Sequence, residues 1–119
     1  MVRILVAEQS YLLRKGLIHI LRQFPEAGEI EVLGSNLGIE EVLQHFNPDL
    51  LIINSNIATS TNEKPLADLI PEDCKVLHII NTVLPPNAPD NQLSIYDSKV
   101  NLTEKISLSL KSIDDRQSV

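Results

Sequence analysis

Two apolar runs, Ile4-Leu5-Val6-Ala7 and Leu50-Leu51-Ile52-Ile53, contain no polar residue that could face water. A strand with one solvated face alternates polar and apolar residues, whereas a short unbroken run suits a strand buried on both faces. Burial on both faces requires helices above and below, so the chain is constrained to an α/β fold built on a parallel sheet. The remaining segments agree. Ser10 is placed to cap a helix over 11–24, with Leu13, Leu17, Ile20, Leu21 and Phe24 on one side and Arg14, Lys15 and Arg22 away from it. Pro25 and Gly28 are expected to end that helix. Residues 30–34 read as a second strand and 38–46 as a second helix, with Ile39, Val42, Leu43 and Phe46 inward. Asn47-Pro48-Asp49 breaks the chain before the run at Leu50, which is the most hydrophobic and hence the central strand. A short helix over 65–70, a fourth strand over 75–80, a less hydrophobic fifth strand over 93–97 and a last helix capped by Thr103 and running to about residue 113 complete the pattern. One stretch resists it. Pro85, Pro86 and Pro89 fall where the helix between the fourth and fifth strands belongs. Each lacks an N–H and clashes with the preceding turn, so 82–92 is expected to be an irregular loop. Residues 1–113 are read as one domain and 114–119 as a frayed tail or the start of a linker.

Composition removes several function classes. The 119 residues carry a net charge of −6, and 43% of them are hydrophobic, enough for one core without staples. No apolar run approaches the ~20 residues of a membrane helix. The opening run is too short for a signal peptide and meets Glu8 at once. A single cysteine, Cys74, allows neither an intrachain disulfide nor a cysteine zinc site, which fits a reducing, cytoplasmic home. An acidic domain lacks the electrostatic footprint for nucleic acid. The charge is uneven: Arg3, Arg14, Lys15 and Arg22 against Glu8 make the first 22 residues locally basic, and the rest is strongly acidic. That start is either a patch facing a partner or a solvated helix face. His19, His45 and His78 sit in three different elements without metal spacing. There is no glycine-rich phosphate loop and no nucleophile elbow, and the four aromatics (Tyr11, Phe24, Phe46, Tyr96) give a flavin no support. No catalytic residue, metal or cofactor is assigned, and the chain is not read as an enzyme.

In an open parallel sheet, function gathers at the carboxyl ends of the strands where strand order reverses. Glu8 and Gln9 follow the first strand, Asn54 the third, Ile80, Asn81 and Thr82 the fourth, and Lys99 the fifth. One carboxylate, several amides and one ammonium group are therefore expected to converge on one crevice, with Lys99 within hydrogen-bond reach of Glu8 or Asn54.

Six segments in order resemble the receiver domain of two-component response regulators, and within it the branch that precedes a LuxR-type (NarL-like) helix-turn-helix. They are Arg3-Ile4-Leu5-Val6-Ala7, Leu13-Arg14-Lys15-Gly16-Leu17, Ile30-Glu31-Val32-Leu33-Gly34, Glu40-Glu41-Val42-Leu43, Pro48-Asp49-Leu50-Leu51-Ile52-Ile53 and Tyr96-Asp97-Ser98-Lys99. The resemblance implies a doubly wound, flavodoxin-like (CheY-like) five-stranded parallel sheet of order 2-1-3-4-5. It also carries departures. The family's metal-binding acidic pair falls on Glu8-Gln9, and its phosphate-accepting aspartate on Asn54. The residue whose carbonyl helps hold the metal is Asn56. The family's Thr or Ser falls on Ile80, unless the fourth strand ends later, at Thr82. The lysine is kept as Lys99 and the switch aromatic as Tyr96. A carboxamide is a far weaker nucleophile than a carboxylate. Mg²⁺ wants hard anionic oxygens, and phosphoryl transfer depends on that metal.

The implied reading is a degenerate, non-phosphorylatable receiver: a cytoplasmic signalling module of transcription regulation held in one state. It acts through a protein partner or self-association as a dimer, and reaches DNA only through a C-terminal domain beyond this chain. The 82–92 loop, exposing Leu84 and its three prolines, is expected to shape the partner surface. Three alternatives stay open. One is a stand-alone adaptor. Another is an active receiver using a different acid, of which Asp49 is nearest but lies at the wrong end of its strand. The third is a small-molecule binder in the same crevice.

Overall fold

β1 (Val2–Ala7) and β3 (Leu50–Asn54) lie side by side at the centre of the sheet, Ile4 opposite Leu50 and Ala7 opposite Ile53. β2 (Ala27–Leu33) flanks β1; β4 (Lys75–Ile80) and then β5 (Gln92–Ser94) flank β3. Every pairing is parallel and the order is 2-1-3-4-5, as the sequence implies. The computed structural model describes residues 1–35, 37–58 and 66–117.

Side chains alternate across a strand, and both central strands are apolar on both parities. Val2, Ile4, Val6, Leu50 and Ile52 face one layer, α1 (Tyr11–Leu21) and α5 (Lys99–Gln117), meeting Leu17, Ile20, Leu21, Ile106, Leu110 and Ile113. Leu5, Ala7, Leu51 and Ile53 face the other layer, meeting Ile39, Leu43 and Phe46 of α2 (Ile39–Phe46) and Ile57 of α3 (Ser55–Ala58). A one-turn α4 (Leu66–Leu69) lies within the segment expected to be a short helix, whose first residue, Pro65, lies outside the described residues.

Several boundaries differ from the expected ones, each for a local reason. α1 stops at Leu21, not 24. Gly28 does not terminate a helix. It lies inside β2, where a Cβ would meet the Met1 Cβ at 2.9 Å and the Val2 carbonyl oxygen at 3.1 Å, so the strand starts at Ala27 through this close approach. β5 ends at Ser94, not 97, because the Asp97 carboxylate accepts from Ser94 N–H (3.0 Å) and folds the chain into a turn. Ser98, not Thr103, caps the last helix, its Oγ accepting from Asn101 N–H (3.1 Å). The expected tail is helical as far as Gln117, whose Nε2 donates to Asp49 Oδ2 (3.0 Å) and whose Oε1 accepts from the Met1 amino group (3.4 Å). No break therefore marks residue 113.

Residues 81–91 form no helix, only single turns such as Ala88 N–H to the Pro85 carbonyl (3.1 Å), as the prolines require. This segment therefore adds no helix to the second sheet face over β4 and β5. On that face Val76 packs in the same cluster as Ile57, Leu66 and Leu69, and His78, Ile80 and Gln92 are half-buried. Cys74 is pushed up to about 11, by burial first and the charge of Asp49 second, so it is a thiol at neutral pH. Among the described residues no helix is long and apolar enough to cross a membrane.

The phase of α5 is testable with two leucines. Leu110 is fully buried and Leu108 exposed. Leu110→Ala should cost about 2–5 kcal/mol in urea unfolding, while Leu108→Ala should stay within about 0.5 kcal/mol.

Candidate functional site

Glu8 leaves β1 with its N–H still paired to the Leu33 carbonyl (3.0 Å), so the β1–β2 ladder fixes where its side chain starts. The residue is 2% exposed. Burying a carboxylate is costly unless its oxygens find donors. Here Oε2 accepts from the Ser10 N–H (2.8 Å) and Oε1 from Asn54 Nδ2 (2.6 Å). Arg14, one turn into α1, donates through Nη1 to the main-chain carbonyls of Glu8 (2.7 Å) and Gln9 (3.0 Å). Gly34 makes room for that guanidinium: an added Cβ would meet Nη1 at 3.0 Å.

Asn54 ends β3 and is also buried. Its Nδ2 donates to Asn81 Oδ1 (3.1 Å) as well as to Glu8, and its Oδ1 accepts from Asn56 N–H (3.0 Å) and Asn81 Nδ2 (3.3 Å). A carboxamide offers two N–H donors and two lone pairs. All four are used. Glu8, Asn54 and Asn81 therefore form a closed polar cluster across β1, β3 and β4.

The other expected site residues sit elsewhere. Gln9 is exposed and contributes only its carbonyl to the Arg14 contact. Asn56 is exposed and reaches the cluster through its N–H. Ile80 ends β4 without a polar side-chain atom. Thr82 is exposed, and its carbonyl accepts from Ser94 Oγ (2.6 Å). Tyr96 is 66% exposed, not core, with its N–H donated to the same Ser94 hydroxyl (3.0 Å).

The expected Lys99–Glu8 contact is not made. Lys99 is the exposed first residue of α5, because the Asp97-Ser98 turn and cap start the helix there. The lysine that reaches inward is Lys105, donating to Asp97 Oδ2 (3.3 Å) and the Gln92 carbonyl (3.1 Å). Asn81 was expected only as a strand-end amide. Its role as partner of Asn54 depends on the β3–β4 register, which sequence spacing alone does not fix.

The donor set does not suit a divalent cation. Mg²⁺ asks for several hard oxygens in near-octahedral array. This cluster has one carboxylate, both of whose oxygens already accept hydrogen bonds. The Asn54 N–H₂ group points at the oxygen a cation would need. Among the described residues no group of three or more His, Cys, Asp or Glu side chains is gathered for a metal.

No family model matches the sequence, and no curated protein does. Solved structures do match its fold. A two-component transcriptional regulator AraC from Clostridium phytofermentans aligns with TM-score 0.74 at 15% identity, covering 99% of this chain and 98% of that one. The N-terminal domain of a response regulator/sensory box/GGDEF protein from Carboxydothermus hydrogenoformans aligns with TM-score 0.67 at 15% identity, covering 96% and 98%. The signal receiver domain of a Luxo repressor protein from Vibrio parahaemolyticus gives 0.66 at 14%, covering 98% and 95%. The fold is that of a response regulator receiver domain. At such identities the likeness carries the fold alone, and the site chemistry rests on the residues described above.

Two measurements probe the cluster. Asn54→Asp replaces a donor by an oxygen facing Glu8 Oε1 and should cost about 2–4 kcal/mol at neutral pH. The two carboxyls would share a proton, raising one pKa in the fold above its unfolded value of about 4. A raised acid pKa favours the fold only while the proton is held, and that contribution is lost as pH rises through it. The deficit should therefore shrink as pH falls toward about 4.5. Millimolar Mg²⁺ should leave the Tm of the natural chain unchanged, since a ligand stabilises only as ln(1 + [L]/Kd). A rise of several degrees would demonstrate a working metal site.

Proposed function

We propose that this chain is a receiver-like signalling module that accepts no phosphoryl group and acts through protein contacts. It serves as the regulatory part of a cytoplasmic response regulator or transcription factor. The observation that carries this reading is the saturated Asn54 amide. The strand-end position that the resemblance assigns to the phosphate-accepting aspartate holds a group that is a poor nucleophile. All its hydrogen-bonding valences are taken up by Glu8, Asn81 and Asn56. Gln9 lacks the second anionic oxygen a metal would need, Ile80 lacks a hydroxyl, and the exposed Lys99 is not turned onto the site to neutralise a phosphoryl group.

The alternative acceptor, Asp49, is disfavoured by position and by partners. It precedes β3, at the opposite end of the strand from Asn54, and its carboxylate accepts from Arg3 N–H (2.9 Å) and Gln117 Nε2 (3.0 Å). A LuxR-type DNA-binding domain following this one is part of the proposal, resting on the sequence resemblance. Without it, the same module works as a stand-alone adaptor. The degenerate positions Glu8, Gln9, Asn54, Asn56, Ile80, Thr82, Tyr96 and Lys99 belong to that reading as remnants of a phosphoacceptor site.

Incubation with acetyl phosphate and Mg²⁺, read by intact mass, should leave the chain unmodified. Asn54→Asp alone should recover little acceptance, because Gln9 and Ile80 remain. A phosphoryl adduct on any aspartate of the natural chain would overturn the proposal.

A further inference from the structure

β5 is three residues long, and the register pairs only His78, Ile79 and Ile80 of β4 with it. The ladder begins where His78 N–H donates to the Asn91 carbonyl (2.8 Å). The outer edge of β4 is therefore uncovered from Lys75 to Leu77. Beside this open edge, on the side covered by α5, lies a cavity of about 380 Å³. That size falls within the range of about 300–1,000 Å³ common to small-molecule sites. Leu77 and Leu108 give it apolar surface, and Lys75, Asp90, Lys105 and Ser109 bring polar groups to it.

Three of those polar groups lack a partner. Ser109 lies on the inward side of α5, where the other buried residues, Ile106, Leu110 and Ile113, are aliphatic. It is 4% exposed, and among the described residues its hydroxyl makes no hydrogen bond. Thr103, in the same helix, does bond back to the Lys99 carbonyl (2.6 Å). A buried hydroxyl without a partner is uncommon in a folded chain. Lys75 is half-buried and Asp90 exposed, and among the described residues neither forms an ion pair. Partial burial of the Lys75 ammonium costs solvation that no counter-charge offsets. Lys105 differs, since its Nζ already donates to Asp97 Oδ2 (3.3 Å) and the Gln92 carbonyl (3.1 Å).

We propose that this cavity binds a small zwitterion of the amino-acid class. Lys75 and Ser109 hold its carboxylate, Asp90 holds its ammonium group, and its apolar body lies between Leu77 and Leu108. Two opposite charges that line one cavity without meeting each other are completed by a ligand carrying both signs. A simple anion would face Asp90, and a simple cation would face Lys75 and Lys105, each a like-charge contact in a partly desolvated place. Lys75 lies opposite Leu50, at the other end of β3 from Asn54, so the site uses no residue of the Glu8 cluster. The inference goes beyond the protein-contact reading and does not rest on it. The phosphoryl-transfer experiment and the one below therefore fail or hold separately.

The test is an NMR titration of the ¹⁵N-labelled full chain with L-leucine and L-phenylalanine, and with two fragments of leucine. Isocaproate lacks the ammonium group and isoamylamine lacks the carboxylate. At least one of the amino acids should shift the amides of Lys75, Leu77, Asn91 and Ser109 saturably in the millimolar range. Leucine should bind at least tenfold tighter than either fragment. Lys75→Gln should remove its advantage over isoamylamine, and Asp90→Asn its advantage over isocaproate. Ser109→Ala should weaken amino-acid binding severalfold without lowering the Tm, because the hydroxyl it deletes has no partner in the fold. The two surface changes remain informative where Ser109→Ala does not fold. No saturable shifts with either amino acid, shifts confined to other faces, or a fragment that binds as tightly as leucine would each overturn the proposal. So would amino-acid affinity unchanged by both Lys75→Gln and Asp90→Asn.

Discussion

A hydrogen bond of 2.6 Å from the Asn54 amide to the Glu8 carboxylate ties together the carboxyl ends of the two central strands. Both residues are almost completely buried, so neither can turn to water for a partner. An unpaired carboxylate in that position would be expensive enough to reshape the site, whereas one that accepts from Asn54 Nδ2 and from Ser10 N–H is compatible with burial. The rest follows from that pair. The Ser10 contact fixes the start of α1, the Arg14 contacts fix its first turn, and Asn81 closes the ends of β3 and β4. The cluster at these strand ends is a neutral amide network with one charge in it, so it carries no crowding of like charges.

The architecture was legible because it depends on short-range facts. Two runs without polar residues announce strands buried on both faces, and the period of α1 and α2 identifies the layers that cover them. The prolines at 85, 86 and 89 say directly where a helix cannot form. The site was legible as a set of positions but not as a set of contacts. Spacing places Lys99 at the end of a strand. The structure places it on a helix, because Asp97 turns the chain and Ser98 caps the helix five residues earlier than Thr103 would. Both residue types favour turns and caps over strands, so the signal was present, but the aromatic-x-x-Lys pattern read over it. Asn81 was illegible for a different reason. A side-chain pair across two strands depends on register, and register is a property of the sheet rather than of either segment.

The absent helix between β4 and β5 is matched by the residues beneath it. On the covered faces of β3, every residue from Leu50 to Ile53 is apolar and buried. On the second sheet face, in β4 and β5, His78, Gln92 and Ser94 are polar, beside the aliphatic Val76 and Ile80. Ser94 is buried nonetheless, and its hydroxyl is satisfied at both valences, donating to the Thr82 carbonyl and accepting from Tyr96 N–H. A helix lost from a fully apolar face would leave a surface prone to association. This face has been made polar enough to live with a loop.

That hydroxyl also bears on whether the domain can switch. A conformational change requires a ligand or modification that interacts differently with two states. Among the described residues, the turns after β4 and after β5 border this crevice, while the strand ends and the α1 start are tied to the Glu8 cluster. Ser94 Oγ fastens both turns to one atom, and Lys105 fastens the second again through Asp97 and the Gln92 carbonyl. With the amide cluster saturated on one side and the two turns joined on the other, the described side chains of the crevice are held by one another. On the reading proposed above, a state change would then be driven from outside the crevice, by a partner whose binding energy differs between two arrangements of those turns.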